Sequence, residues 1–131
     1  MRKYLALKEA HRKRFESFEM FFAFNKQQFA EGLAKLNATQ EQIIGIGAGG
    51  FMRKVDLAKF TAMMDEIQAE NDHAMTDNEY LYEAFCYELA NHEYNYTHDD
   101  TDTLRSLGLT AETLTDNQRE ILAKAKCYAN V

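Results

Sequence analysis

The sequence predicts an α+β fold that is predominantly helical, with about five to six helices and a small antiparallel sheet of about three strands. Apolar residues recur at three- and four-residue steps over much of the 131-residue chain, which is typical of amphipathic helices. Short apolar runs and a glycine-rich segment interrupt this pattern between residues 20 and 55. The chain has no proline and no Ser/Gly-rich linker, so we expect residues 1–131 to form a single domain.

Residues 2–18 predict a basic amphipathic helix that precedes a core domain over residues 20–131. The apolar stripe of this helix comprises Tyr4, Leu7, His11, Phe15 and Phe18. A buried strand follows at residues 20–24, and Asn25 is placed to cap a helix over residues 26–36.

Residues 43–48 and 51–55 predict two strands, and Gly49-Gly50 between them suits a tight turn. The same glycines complete a G-x-G-x-x-G pattern. A strand follows them where a dinucleotide site needs a helix, so we favour a glycine-rich hairpin. Asp56 then begins a helix over residues 57–71.

The rest of the chain predicts helices only. Asp77 begins a long helix that ends near residue 96, and Gly108 closes a short helix after it. Thr115 and Gln118 form a capping-box pattern that opens the last helix.

Charge is distributed unevenly along the chain, whose net charge is −6. Residues 1–14 carry a net charge of +5, whereas residues 65–102 hold twelve acids and neither lysine nor arginine. Such a stretch steers basic partners and repels nucleic acid. Three interpretations fit: a solvated helical face, an acidic docking surface, and internal pairing between the basic first helix and the acidic helices.

On the docking interpretation, a basic partner would contact acids of this stretch and two tyrosines of its long helix. Tyrosine suits an interface because it combines a large apolar body with a polar tip. The candidate partner-binding residues are Asp65, Glu66, Glu70, Asp72, Glu79, Glu83, Tyr87, Glu93, Tyr94, Asp99 and Asp100.

A Glu–His pair lies within the same helix, at Glu88 and His92. This spacing can hold a metal ion or set up acid–base chemistry, but it also suits a buried structural hydrogen bond, which we favour. The sequence from His92 begins like the zinc motif H-E-x-x-H but has Tyr96 at the second histidine, so no metal or other cofactor is expected.

Two cysteines, Cys86 and Cys127, are too few for a disulfide scaffold. The chain has no apolar run of about 18 residues and no signal-peptide pattern, so we expect a cytoplasmic protein without a membrane partner.

Two tracts carry a resemblance to a known family. The first is Phe21–Phe29 with Gly47–Phe51, and the second is Tyr87–Tyr94 followed by Tyr96, Thr97, Asp99 and Leu107–Thr110. Together they resemble a family of small uncharacterised proteins carried by phages and mobile elements of gut bacteria. The resemblance covers most of residues 20–115 and leaves out residues 1–18. It implies a location inside a bacterial host and no particular activity.

The acidic stretch and this resemblance together predict a non-enzymatic accessory protein that binds a basic surface of a host protein. An anti-CRISPR-type inhibitor of a host defence nuclease is one such protein. One alternative is a nucleic-acid-binding regulator that uses Arg12, Lys13 and Arg14, although the acidic charge disfavours direct binding of nucleic acid. A metal-dependent enzyme centred on Glu88 and His92 is the other, and a homo-oligomer is compatible with the sequence.

Overall fold

The computed structural model describes residues 2–129 and confirms a predominantly helical α+β fold with a three-stranded antiparallel sheet. The helices are α1 (Arg2–Glu16), α2 (Lys26–Leu36), α3 (Leu57–Ala74), α4 (Asn78–Asn91), α5 (Tyr94–Thr97), α6 (Thr101–Ser106) and α7 (Asp116–Ala129). The strands are β1 (Met20–Phe22), β2 (Ile43–Gly47) and β3 (Gly50–Arg53). Single 3₁₀ turns lie at Gln40–Gln42, Lys54–Asp56 and Ala111–Thr113. Within residues 2–129, no helix has the length and apolar character needed to cross a membrane.

The chain divides into two compact units. The helical unit contains described residues 2–9 and 70–129, and the sheet unit contains residues 10–69. Helices α1 and α3 contribute residues to both units. The single-domain organisation expected from the sequence stays a prediction.

The sheet of the sheet unit has the strand order β1-β3-β2. Gly50 pairs with both Phe22 and Gly47, so it lies within β3 and not at the tip of the hairpin. The turn residues are Ala48 and Gly49, both with positive φ, at 52° and 79°. The expected turn at Gly49-Gly50 is therefore wrong by one residue, because the pairing of Gly50 extends the strand.

Aromatic rings fill one face of this sheet. Phe21 stacks on Phe51 with ring centroids 5.4 Å apart, and the Phe29 ring packs 5.1 Å from Phe51. Asn25 caps α2 as expected, since its Oδ1 accepts a 2.8 Å hydrogen bond from the Gln28 amide. Helix α2 approaches the sheet closely at Gly32, where an added Cβ would lie 2.0 Å from the Phe21 ring.

The apolar stripe of α1 continues into the sheet unit. Phe15 and Phe18 both pack against Phe60 of α3, with ring centroids 5.8 and 5.4 Å apart. Arg14 forms an ion pair with Glu66 on the same two helices. The stripe is therefore a packing face, as the periodicity predicts.

Helices α4 and α7 form the centre of the helical unit. Leu81, Phe85 and Leu89 of α4 are fully buried and belong to one apolar cluster with Ile121 and Leu122 of α7.

The capping predictions for both helices are confirmed. The Asp77 carboxylate accepts hydrogen bonds from the amides of Glu79 and Tyr80 at the start of α4. Thr115 and Gln118 make the two reciprocal capping-box bonds of α7, at 3.1 and 2.9 Å.

The predicted helix from residue 77 to residue 96 is wrong at its C-terminal end. Helix α4 stops at Asn91, and Glu93 adopts a left-handed conformation with a φ of 56°. Helix α5 follows as a single turn that ends at Thr97, and its C-cap residue His98 is also left-handed. The break turns Tyr96 to solvent, with 80% of the residue exposed, so Tyr96 does not continue the buried stripe of Leu89.

We expect Gly32→Ala to destabilise the protein by about 1 to 3 kcal/mol, because the new methyl group would overlap the Phe21 ring. Urea denaturation measures this change. At an ordinary helix position the same substitution stabilises by about 0.5 to 1 kcal/mol, so the sign of the change is diagnostic. Ala34→Gly, at an exposed site on α2, reports helix propensity alone and should cost about 1 kcal/mol.

Candidate functional site

A buried carboxylate lies where α4 meets the start of α1. Glu88 is only 2% exposed, and Tyr4 donates a 3.0 Å hydrogen bond to its Oε1. Lys8 Nζ lies 3.5 Å from the same oxygen. We call Tyr4, Lys8, Tyr87, Glu88 and His92 the Glu88 cluster. Tyr4 and Lys8 compensate the charge of Glu88, which would be costly to bury alone.

Aromatic contacts surround this pairing. The Lys8 ammonium lies 5.1 Å from the ring centroid of Tyr4 and 5.3 Å from that of Tyr87, within cation–π range. The Tyr4 ring also packs 5.4 Å from Tyr80 and 5.7 Å from Tyr87. Burial, together with the neighbouring Glu88 charge, raises the pKa of Tyr4 well above its ordinary value of 10.0. The cluster thus attaches the first two turns of α1 to α4.

His92 occupies the C-cap of α4, one turn beyond Glu88. Its Nε2 is buried, lies 3.6 Å from Glu88 Oε2 and makes no hydrogen bond to any described residue. No set of three His, Cys, Asp or Glu side chains within residues 2–129 is placed to hold a metal ion. Because Tyr4 and Lys8 contact the Glu88 carboxylate, the geometry favours a structural role for Glu88 and His92.

Lys3 connects α1 to the start of α4. Its Nζ lies 2.8 Å from Asp77 Oδ2 and 3.1 Å from Glu79 Oε2. Its backbone amide donates to the Glu83 carboxylate at 3.2 Å. The Lys3 hydrogen bond lowers the pKa of Asp77 below its ordinary value. Part of the acidic stretch therefore pairs internally with the basic helix, as one of the three sequence interpretations expects.

Several predicted partner-binding residues do not lie on an open surface. Glu83 and Tyr94 are each 8% exposed, which corrects their placement on a docking surface. Asp100 Oδ2 lies 2.7 Å from Lys126 Nζ, and the same Nζ lies 5.4 Å from the ring centroid of Tyr94. Tyr87 is half-buried beneath Lys8.

The remaining predicted acids are exposed. They are Asp65, Glu66, Glu70, Asp72, Glu79, Glu93 and Asp99. Glu93 and Asp99 flank α5 and the exposed Tyr96; we call residues 92–99 the α5 loop. Asp99 Oδ1 accepts a 2.9 Å hydrogen bond from the Thr101 amide, and the contacts with Thr101 lower the pKa of Asp99.

Sequence reasoning missed Tyr96 as a surface residue and Tyr4 as the partner of Glu88. The first error came from extending α4 through residue 96. For the second, the apolar stripe of α1 marks Tyr4 as buried, but no local pattern specifies a hydrogen-bond partner that lies 84 residues along the chain.

The two units differ in charge. The helical unit holds fourteen acidic and seven basic residues, a net charge of −7, whereas the sheet unit holds seven acidic and eight basic residues, a net charge of +1. The negative charge of the protein therefore belongs to the helical unit, which contains the α5 loop.

A model of a family of unknown function (DUF7659) matches residues 3–129. The chain belongs to this family. The match includes α1, which the sequence resemblance had left out. No curated protein and no solved structure matches the chain. Membership of the DUF7659 family thus applies to nearly the whole chain, including the residues of the Glu88 cluster.

We expect Tyr4→Phe to lower the free energy of unfolding by about 1 to 3 kcal/mol, because it removes a hydrogen bond to a buried carboxylate. Chemical denaturation measures the loss. Tyr128→Phe makes the same chemical change at an exposed tyrosine and should leave stability unchanged. Equal midpoints for Tyr4→Phe and the native protein would show that the Tyr4–Glu88 hydrogen bond contributes nothing.

We expect stability to fall as the pH rises above about 10, the ordinary tyrosine pKa. Burial raises the pKa of Tyr4 and Tyr80 in the folded state, so the unfolded chain loses these protons first and alkaline pH favours unfolding. Denaturation midpoints at about pH 9 and about pH 11 measure the decline. The decline should be shallower in Tyr4→Phe, and an identical slope would contradict this assignment.

Proposed function

We propose that the protein is a non-enzymatic binding protein that uses exposed acids of its helical unit to engage a basic surface of a host protein. The observation that carries this proposal is the net charge of −7 on the helical unit, counted from its fourteen acids and seven bases. A surface of this sign speeds association with basic partners and repels nucleic acid.

The α5 loop is the part of this surface that best suits a partner. Glu93 and Asp99 supply negative charge, and Tyr96 between them supplies an exposed aromatic side chain. Tyrosine is enriched among residues that dominate binding energy, and arginine is its frequent counterpart on basic surfaces. We therefore assign the contact to the α5 loop and leave the buried Glu83 and Tyr94 out of it.

The setting follows from the resemblance to proteins of phages and mobile elements. Enzymes that process nucleic acid are one class of host protein with a basic groove. We propose a host defence nuclease, with the protein acting as an anti-CRISPR-type inhibitor that competes with nucleic acid for the groove.

The paired charges of α1 support this proposal over nucleic-acid binding by the basic helix. Lys3 and Lys8 contact acids of α4 or of its N-terminal cap, Arg12 pairs with Glu16, and Arg14 pairs with Glu66. Positive charge that is paired in this way attracts phosphate less strongly.

The test is capture of purified RNA-guided nucleases on the immobilised full-length protein, followed by a cleavage assay. We expect capture at low salt, loss of capture at high salt, and inhibition of cleavage at stoichiometric protein. The double variant Glu93→Gln/Asp99→Asn should weaken binding about tenfold or more, and Asn at position 99 keeps an acceptor for the Thr101 amide.

A matched control is Glu19→Gln/Glu41→Gln, which removes the same charge at two exposed sites of the sheet unit. It should bind like the native protein. Failure of every nuclease to bind at low salt would contradict the proposal. A gel shift with nucleic acid that disappears in Arg12→Ala/Lys13→Ala/Arg14→Ala would favour the basic-helix alternative instead.

A further inference from the structure

A groove runs along the outer edge of β1 in the sheet unit. Two adjoining spaces of about 450 and 490 Å³ share Met20, Phe22 and Lys35 in their walls. Phe22 is 52% exposed and Phe24 is 76% exposed, although both are large apolar residues. An unpaired strand edge with exposed aromatic side chains is a template for another strand.

The pairing of β1 with β3 fixes which backbone groups of β1 face this groove. The Ala23 amide donates to the Gly49 carbonyl, and Phe21 lies opposite Phe51. Because hydrogen-bonded positions alternate along an antiparallel ladder, the N–H and C=O groups of Met20 and Phe22 point away from β3. These four groups are the ones that a further strand could use.

A second copy of β1 satisfies all four groups at once. If a two-fold axis passes beside Phe21, Met20 of each copy lies opposite Phe22 of the other. The two residues of each such pair then form both N–H···O bonds with each other, as in a hydrogen-bonded pair of an antiparallel ladder. A self-complementary pairing of this kind is what a two-fold dimer requires.

The charges of α2 are also self-complementary. Gln28, Glu31 and Lys35 line the groove from α2, and Gly32 lies directly against Phe21, near the proposed axis. The axis would make the two α2 helices antiparallel and bring Lys35 of each copy toward Glu31 of the other. No carboxylate within residues 2–129 is paired with Lys35, and Glu31 accepts only from the neutral Gln27 amide at 3.1 Å.

We propose that the β1 edge is the interface of a two-fold homodimer. Its two three-stranded sheets join through β1 into one six-stranded sheet, and reciprocal ion pairs between Lys35 and Glu31 select the antiparallel register. The apolar groove then covers Phe22 of the facing copy.

Sedimentation of the full chain over roughly a hundredfold range of concentration tests the dimer. We expect the native protein to dimerise and each of Glu31→Lys and Lys35→Glu to weaken the dimer about tenfold or more by placing like charges together. The double variant Glu31→Lys/Lys35→Glu should restore it. An equimolar mixture of the two single variants should form a heterodimer, because each supplies the charge that the other lacks.

Phe22→Lys should also abolish the dimer, whereas Val55→Lys, at an exposed apolar residue outside the groove, should not. Amide exchange provides a separate measurement. The Phe22 amide should gain protection as concentration rises, and the Phe21 amide should be protected throughout. The proposal would be overturned by a chain that stays monomeric, or by a dimer that none of these charge variants affects. If the monomer binds an added strand peptide, the edge belongs to a different partner.

Discussion

The hydrogen bond from Tyr4 to Glu88 is the contact that attaches the start of α1 to the helical unit. Glu88 is buried on α4, and a buried carboxylate is tolerated only when hydrogen bonds and a positive charge compensate it. Tyr4 and Lys8 supply both from α1. This requirement explains why residues 2–9 belong to the same compact unit as α4, although some seventy residues separate them in the chain.

The same contacts divide the acidic stretch into two classes. Asp77, Glu79 and Glu88 pair with lysines of α1, and Asp100 pairs with Lys126, so these carboxylates are paired within the helical unit. Exposed acids such as Glu93 lie on the surface and give the helical unit its external potential. Since exposed charges contribute little to stability, these acids chiefly add negative charge to the surface of the helical unit.

The α5 loop depends on two unfavourable backbone conformations. Glu93 and His98 both adopt left-handed conformations that cost a non-glycine residue about 1 kcal/mol or more. In return, Tyr94 enters the core beneath Lys126, while Tyr96 is left exposed two residues later. Tyr94 therefore packs in the core and Tyr96 is available at the surface. In a continuous helix, Tyr96 would instead lie on the same face as the buried Leu89.

Sequence alone predicted the fold class, the three strands, most helices and several of their caps; the cap expected at Asp56 is wrong, because Asp56 ends a 3₁₀ turn. Those features depend on periodicity and on hydrogen bonds between residues two to four apart, as at Asn25, Asp77 and Thr115. It did not predict the break after Asn91, the turn at Ala48-Gly49, the burial of Glu83 and Tyr94, or the pairing of Tyr4 with Glu88. Tertiary structure determined these features, because they depend on contacts between residues that are far apart in the sequence and not on the local pattern.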